Sequence, residues 1–133
     1  MSIFVDPSAL CSLLDADDAN HAAARRTFEG LRDEELTTHA YVVVESLALV
    51  SRWLGREAVR HLIDDLLPVI DVRPVGAALH ALALAASRES DDVRVSLVGR
   101  TSFAFMRLHA IEAALAFDAD FARAGLRTLP NEA

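Results

Sequence analysis

The first apolar run, Ile3-Phe4-Val5, shows no alternation, the pattern of a strand buried on both faces. Asp6 ends it. Pro7 lacks a ladder donor but suits a first helical turn, so a helix is expected from there to about Leu14. The acidic break Asp15-Ala16-Asp17-Asp18 then leads into a second helix, roughly Ala19 to Leu31. Its apolar positions Ala24, Phe28 and Leu31 are spaced by four and three, with His21 and Arg25 on the more polar, solvated side. Leu36-Thr37-Thr38 reads as a short strand, with Thr38 as a cap for a long helix from Tyr41 to Leu54. Val43, Leu47, Val50 and Leu54 mark that helix's apolar face, and Gly55 closes it.

The second half repeats the alternation. Glu57 to Leu67 is expected to be helical and to stop at Pro68, and Val69-Ile70-Asp71-Val72 reads as another strand. Gly76 to Ser87 is an apolar helix, and Arg88 to Arg94 a polar connection. Val95-Ser96-Leu97-Val98 leads into a segment from Gly99 to His109 that buries Phe103, Phe105 and Met106. Ala113 to Phe117 is a further apolar strand ending on Asp118; Phe121 to Ala124 forms a short helix, Gly125 stops it, and Leu126 to Leu129 is the last strand. Such alternation implies a three-layer α/β/α sandwich around a central, mainly parallel sheet with right-handed crossovers.

At 133 residues and 53% hydrophobic, residues 1–133 are expected to form a single domain. The longest charge-free apolar run, Val75 to Ala86, falls short of the ~20 residues of a membrane span, and Asp6 interrupts any signal-peptide core; the expectation is a cytoplasmic protein with no membrane partner. Cys11 has no second cysteine to pair with and reads as a small buried filler. A net charge of −7 argues against broad attraction to nucleic acid, although all 13 basic residues are arginine. Were RNA or DNA the substrate, a metal would have to neutralise a local acidic cluster.

Three acids stand out. Asp6 falls at the carboxyl end of a strand, where open parallel sheets bind ligands, but Asp also caps helices well; both readings stand. Glu45 is the only acid between Leu36 and Arg56. If buried, it must be paired, protonated or metal-bound, while a place in the first helical turn would suit a solvated carboxylate. Asp118, followed by Asp120, mirrors the start of the chain. Converging carboxylates repel one another and are stable mainly with divalent cations such as Mg²⁺ or Mn²⁺. Two such ions ~4 Å apart activate water and steady the leaving oxygen in phosphodiester hydrolysis. No histidine has an obvious nucleophile partner, and there is no Gly-rich phosphate loop.

Phe4-Val5-Asp6-x-Ser8-Ala9, Tyr41-Val42-Val43-x-Glu45-Ser46, Val95-Ser96-Leu97-Val98 with Thr101-Ser102-Phe103 and Met106, and Ala116-Phe117-Asp118-x-Asp120-Phe121 together resemble PIN-domain ribonucleases, most closely VapC-type toxins. The likeness runs in order from Ile3 to Leu129. It implies a metal-dependent endoribonuclease that cleaves structured RNA such as tRNA or rRNA. Asp6, Glu45 and Asp118 would bind Mg²⁺ or Mn²⁺, with Asp120 as an occasional helper and Ser8 supporting Asp6. Homodimerisation and neutralisation by a small VapB-like antitoxin would follow. One departure stands out: Gly99 occupies the position where the family carries a further metal-binding aspartate, which implies an impaired or inactive enzyme. Pro7 in place of a common threonine is a milder change. A phosphoacceptor receiver would need a lysine, which this chain lacks, and a haloacid-dehalogenase-like site would need Asp at position 8. The remaining alternative is a non-catalytic PIN-fold dimer that binds antitoxin or RNA.

Overall fold

The computed structural model describes residues 1–130; the last three residues of the domain expected over 1–133 lie outside the described residues. Among the described residues, five strands are joined through seven α-helices, in the order β1 (Ser2–Val5), α1 (Pro7–Leu14), α2 (His21–Gly30), β2 (Glu35–His39), α3 (Ala40–Trp53), α4 (Arg56–His61), β3 (Asp71–Arg73), α5 (Ala77–Glu89), α6 (Leu97–Leu108), β4 (Ala113–Leu115), α7 (Asp120–Arg123) and β5 (Arg127–Leu129). All strand pairs are parallel, in the order β3-β2-β1-β4-β5. The α/β/α sandwich anticipated from the alternation is the fold observed. β1 lies at the centre, paired on both sides, which is why Ile3, Phe4 and Val5 are wholly buried and show no polar alternation. Phe4 packs against Phe105 of α6 and Phe121 of α7, with ring centroids 5.7 and 6.1 Å apart.

The strand order reverses beside β1: β2 and β3 lie on one side, β4 and β5 on the other. A crevice opens at such a reversal, outside the carboxyl ends of the strands, and loops leaving β1 and β4 must line it. Among the described residues, no helix is long and apolar enough to cross a membrane.

Several local expectations shift. Thr38 does not cap α3; its hydroxyl donates to the Val5 carbonyl (2.8 Å), tying β2 to β1. His39 caps α3 instead, its Nδ1 accepting the Val42 N–H. The buried face of α3 is Val42, Ser46 and Val50, one residue out of phase with the face drawn from Val43 and Leu47. After α4 the chain widens into a π-helical turn, Leu62–Leu66, and Pro68 sits within a 3₁₀ turn, Leu67–Val69, where a missing N–H costs little. β3 therefore starts at Asp71 and is an exposed edge strand. His21 is half-buried rather than solvated, and its Nδ1–H donates to the Ser12 carbonyl (2.8 Å), joining α2 to α1.

His39 is fully buried and links three elements. With Nδ1 accepting from the backbone, Nε2–H donates to Ser102 Oγ (2.9 Å), whose own hydroxyl donates to the Val98 carbonyl (2.9 Å). α6 is thereby fixed against β2 and α3. Burial pushes the imidazole down from 6.5 to about 4. Between those values the unfolded chain holds a proton that the folded chain lacks, so stability falls as pH drops through this window. The loss attributable to His39 is up to roughly 3 kcal/mol. Thermal melts of the natural chain should decline more steeply from pH 6.5 towards 4 than those of His39→Gln; parallel pH profiles would show that His39 is not responsible.

Candidate active site

Asp6 is the residue at which β1 becomes α1. Its backbone is extended (φ −92°, ψ 155°), and its N–H still donates to Leu115 of β4, continuing the sheet by one bond. Its Oδ2 accepts both the backbone N–H (3.0 Å) and the hydroxyl of Ser8, so the carboxylate does cap the helix. It also lines a cavity of about 370 Å³ at the strand reversal. Asp6 is thus a helix cap that also stands at the strand-end crevice. Ser8 Oγ in turn accepts the Phe117 N–H (2.9 Å), so one hydroxyl joins the chain leaving β1 to the chain leaving β4.

Glu45 and Asp118 line the same cavity, together with Ser8, Cys11, Ser12, Asp18, Asn20, Leu49, Ser96, Val98 and Gly99. Glu45 sits in the second turn of α3 rather than the first, half-buried, and so gains less from the helix dipole than anticipated. Asp118 follows β4, its Oδ1 accepting the Asp120 N–H (2.9 Å). Asp120 stands apart from the cavity wall, with its carboxylate 2.7 Å from the Arg123 guanidinium.

Two titratable wall residues were not anticipated. Asp18 belongs to the acidic break after α1, read there only as a cap; its Oδ1 accepts the Asn20 N–H (2.7 Å) in a local turn. Three acids in four residues were the available signal. Cys11 is half-buried: it packs against the core as an apolar filler and also reaches the cavity wall, and its thiol is pushed up to about 11 by burial and then by Asp6 and other nearby acids. It stays a neutral thiol at physiological pH.

No arginine or histidine lines this cavity. Burial raises Asp6 to about 6, the two Ser8 hydrogen bonds oppose that rise, and Asp118 and Glu45 add to it by repulsion. Glu45 is raised by burial and then by Asp118. Among the described residues, no three His, Cys, Asp or Glu side chains stand close enough to enclose an ion. The donor set is nevertheless all oxygen, anionic and without a protein counter-charge. It suits a hard divalent cation that keeps several waters, as Mg²⁺ does with one or two carboxylates.

Gly99 is in the third position of α6, on the cavity wall, its N–H donating to the capping Ser96 Oγ (3.1 Å). A Cβ built there would lie 3.2 Å from Val95 Cγ1 and 3.6 Å from Ser96 Oγ. A side chain fits if Val95, half-exposed, gives by a few tenths of an ångström. The larger cavity, about 510 Å³, opens at the opposite, amino ends of β1 to β3 and has none of these groups in its wall.

A parallel sheet with carboxylates gathered at its reversal defines the class, and a PIN-domain profile matches residues 3–126: the chain belongs to the PIN-domain family, in its VapC-type branch. Its similarity to the 23S rRNA-specific endonuclease VapC20 of Mycobacterium tuberculosis is 37% identity over 124 residues, 92% of this chain and 94% of that protein. The crystal structure of VapC20, described as a Sarcin-Ricin loop cleaving toxin, superposes with a TM-score of 0.84 at 34% identity, covering 93% of this chain and 95% of that one. FitAcB from Neisseria gonorrhoeae shares the fold, with a TM-score of 0.70 at 16% identity over 96% of both chains.

The raised Asp6 gives a metal-free test. The folded carboxyl keeps its proton up to about pH 6 and the unfolded one only to 3.8, so without a cation stability falls as pH rises through that window. Asp6→Asn, which keeps a capping oxygen, should raise the melting temperature in EDTA at pH 7 by a few degrees. Mg²⁺ or Mn²⁺ should stabilise the natural chain and leave Asp6→Asn nearly unmoved. A variant that melts lower in EDTA and still responds to metal would remove Asp6 from the ion site.

Proposed function

We propose that residues 1–133 form a single-domain VapC-like toxin, a divalent-metal-dependent endoribonuclease that acts on structured RNA, with ribosomal RNA favoured over tRNA. The observation that carries this reading is the group Asp6, Glu45 and Asp118 around one cavity that has no protein cation. Kinship with an rRNA-specific endonuclease supports the substrate class. Asp6, Glu45 and Asp118 would hold Mg²⁺ or Mn²⁺ through oxygen. When bound, such an ion lowers the pKa of water and offsets charge on the phosphodiester. Ser8 keeps Asp6 oriented, with both of its donors on one carboxylate oxygen and the other oxygen left for the ion.

Gly99 makes this chain a weakened member. It offers no ligand where Asp would add one, and a displacement of ~1 Å in reacting groups costs on the order of a hundredfold in rate. Gly99→Asp should therefore raise Mg²⁺- or Mn²⁺-dependent cleavage of total RNA by about that factor and make expression toxic, whereas Gly99→Ala should change neither. An aspartate at the third helical position also suits the helix dipole, so the variant should fold. EDTA should abolish the gain. If the natural chain already cuts as fast as Gly99→Asp, position 99 is not a ligand position. No metal-dependent cutting by Gly99→Asp, together with retained antitoxin or RNA binding, would favour the non-catalytic dimer.

A VapB-like antitoxin and a homodimer complete the proposal, in a cytoplasmic setting. Leu14, Phe28 and Leu31 are only partly buried, and Val44 on α3 and Leu82 on α5 are 67% and 56% exposed, apolar surface that partners would cover. Light scattering at micromolar concentrations should give a dimer mass, and the product of an adjacent small gene should co-purify. A monomer that captures no such product would count against the toxin assignment.

A further inference from the structure

Along α3 the side chains of Glu45, Leu49 and Trp53 follow one another at four-residue intervals, along one side of the helix. The first two line the acidic cavity; the third lies ~12 Å from Glu45 along the axis and is not part of its wall. Trp53 is 73% exposed and packs against no other aromatic ring among the described residues. Arg52 and Arg56 flank it, both exposed and neither ion-paired among the described residues. Gly55, at φ +90°, turns the chain between α3 and α4 and so keeps Arg56 close to the end of α3.

A large bare aromatic in a soluble chain needs a partner, and its neighbours indicate which kind. An apolar helix or a second copy of the chain would seek contiguous apolar surface; Val44 and Leu49 supply some earlier on α3, but the chain neighbours of Trp53, Ser51, Arg52, Arg56 and Glu57, are polar and exposed. Arg52 and Arg56 are two of several arginines without an ion pair among the described residues, and as exposed guanidiniums beside Trp53 in the chain they suit phosphate. Aromatic faces with adjacent arginines are how single-stranded RNA is held, the ring stacking a base and the cations following the backbone.

We infer that Trp53, with Arg52 and Arg56, forms a stacking platform for an unpaired base of the RNA strand entering the acidic cavity. The inference rests on the nuclease reading above and adds a residue that selects flexible, unstacked RNA. Such a platform favours loops and bulges over continuous duplex, because only an unpaired base has a free face. Being outside the carboxylate group, it acts on affinity and choice of site rather than on the chemistry.

Trp53 is the only tryptophan in the chain, so its emission reports the platform directly. With EDTA present to prevent cutting, a short single-stranded RNA should quench that emission, and inorganic polyphosphate, which carries charge but no base, should not. By fluorescence anisotropy of labelled RNA, Trp53→Ala should weaken binding about tenfold, with Trp53→Phe keeping most of the affinity. Arg52→Ala with Arg56→Ala should lower the log–log salt slope by roughly 0.7 per arginine. RNA that binds without quenching, and equally well to Trp53→Ala, overturns the platform while leaving the nuclease reading intact. Emission that changes with protein concentration alone assigns Trp53 to a contact between copies and also overturns it. Failure to bind RNA, combined with no stabilisation by metal, removes both.

Discussion

One serine hydroxyl holds the carboxyl edge of the sheet together. Ser8 Oγ donates to Asp6 and accepts from the Phe117 backbone, so the loops leaving β1 and β4 cannot drift apart without breaking a buried chain of hydrogen bonds. Those loops carry Asp6 and Asp118. The strand reversal supplies the crevice, and Ser8 sets how wide its acidic wall stands. His39 and Ser102 lock α6 to β2 and α3, and α6 brings Gly99 to the same cavity that Asp6, Glu45 and Asp118 line. Two short hydrogen-bond chains thus hold the elements that form the cavity.

This arrangement keeps the metal-free fold under electrostatic tension. Asp6 is nearly inaccessible to water, yet its neighbours are Glu45 and Asp118, and no guanidinium reaches into the wall to relieve them. Hydrogen bonds from Ser8 offset only part of the burial cost. The arginines without an ion pair among the described residues, Arg52 and Arg56 included, do not line the cavity. Charge is therefore segregated: acids line the cavity, and the arginines stand outside its wall.

Where signals were local, the sequence was readable. Ile3 to Val5 announced a central strand, Pro7 a helix start and Gly55 a helix end, because each acts through its own backbone. The grouping of Asp6, Glu45 and Asp118 was legible because two acids ended apolar runs and the third broke an apolar helix. Contacts between distant segments were not. Histidine is an uncommon cap, and His39 takes that role only because Ser102, 63 residues away, fixes its ring. Asp18 reads as an ordinary turn former, and only the packing of α1 against α3 brings it to the wall. Pro68 was read as a stop, although the chain takes it into a 3₁₀ turn and delays β3 to a solvent-exposed edge.

The way Gly99 is held has an evolutionary consequence. Its place in α6 depends on the Ser96 cap and on the backbone, with no contribution from a side chain, and the space beside it accepts a Cβ with a small yielding of Val95. The fold is thus indifferent to what stands there. Glycine and aspartate codons can differ by a single base, so on the reading proposed above a lineage could disarm such a gene in one mutational step and re-arm it by reversion. Between the two events the product would still fold, and selection on any partner it binds would be uncoupled from selection on cutting.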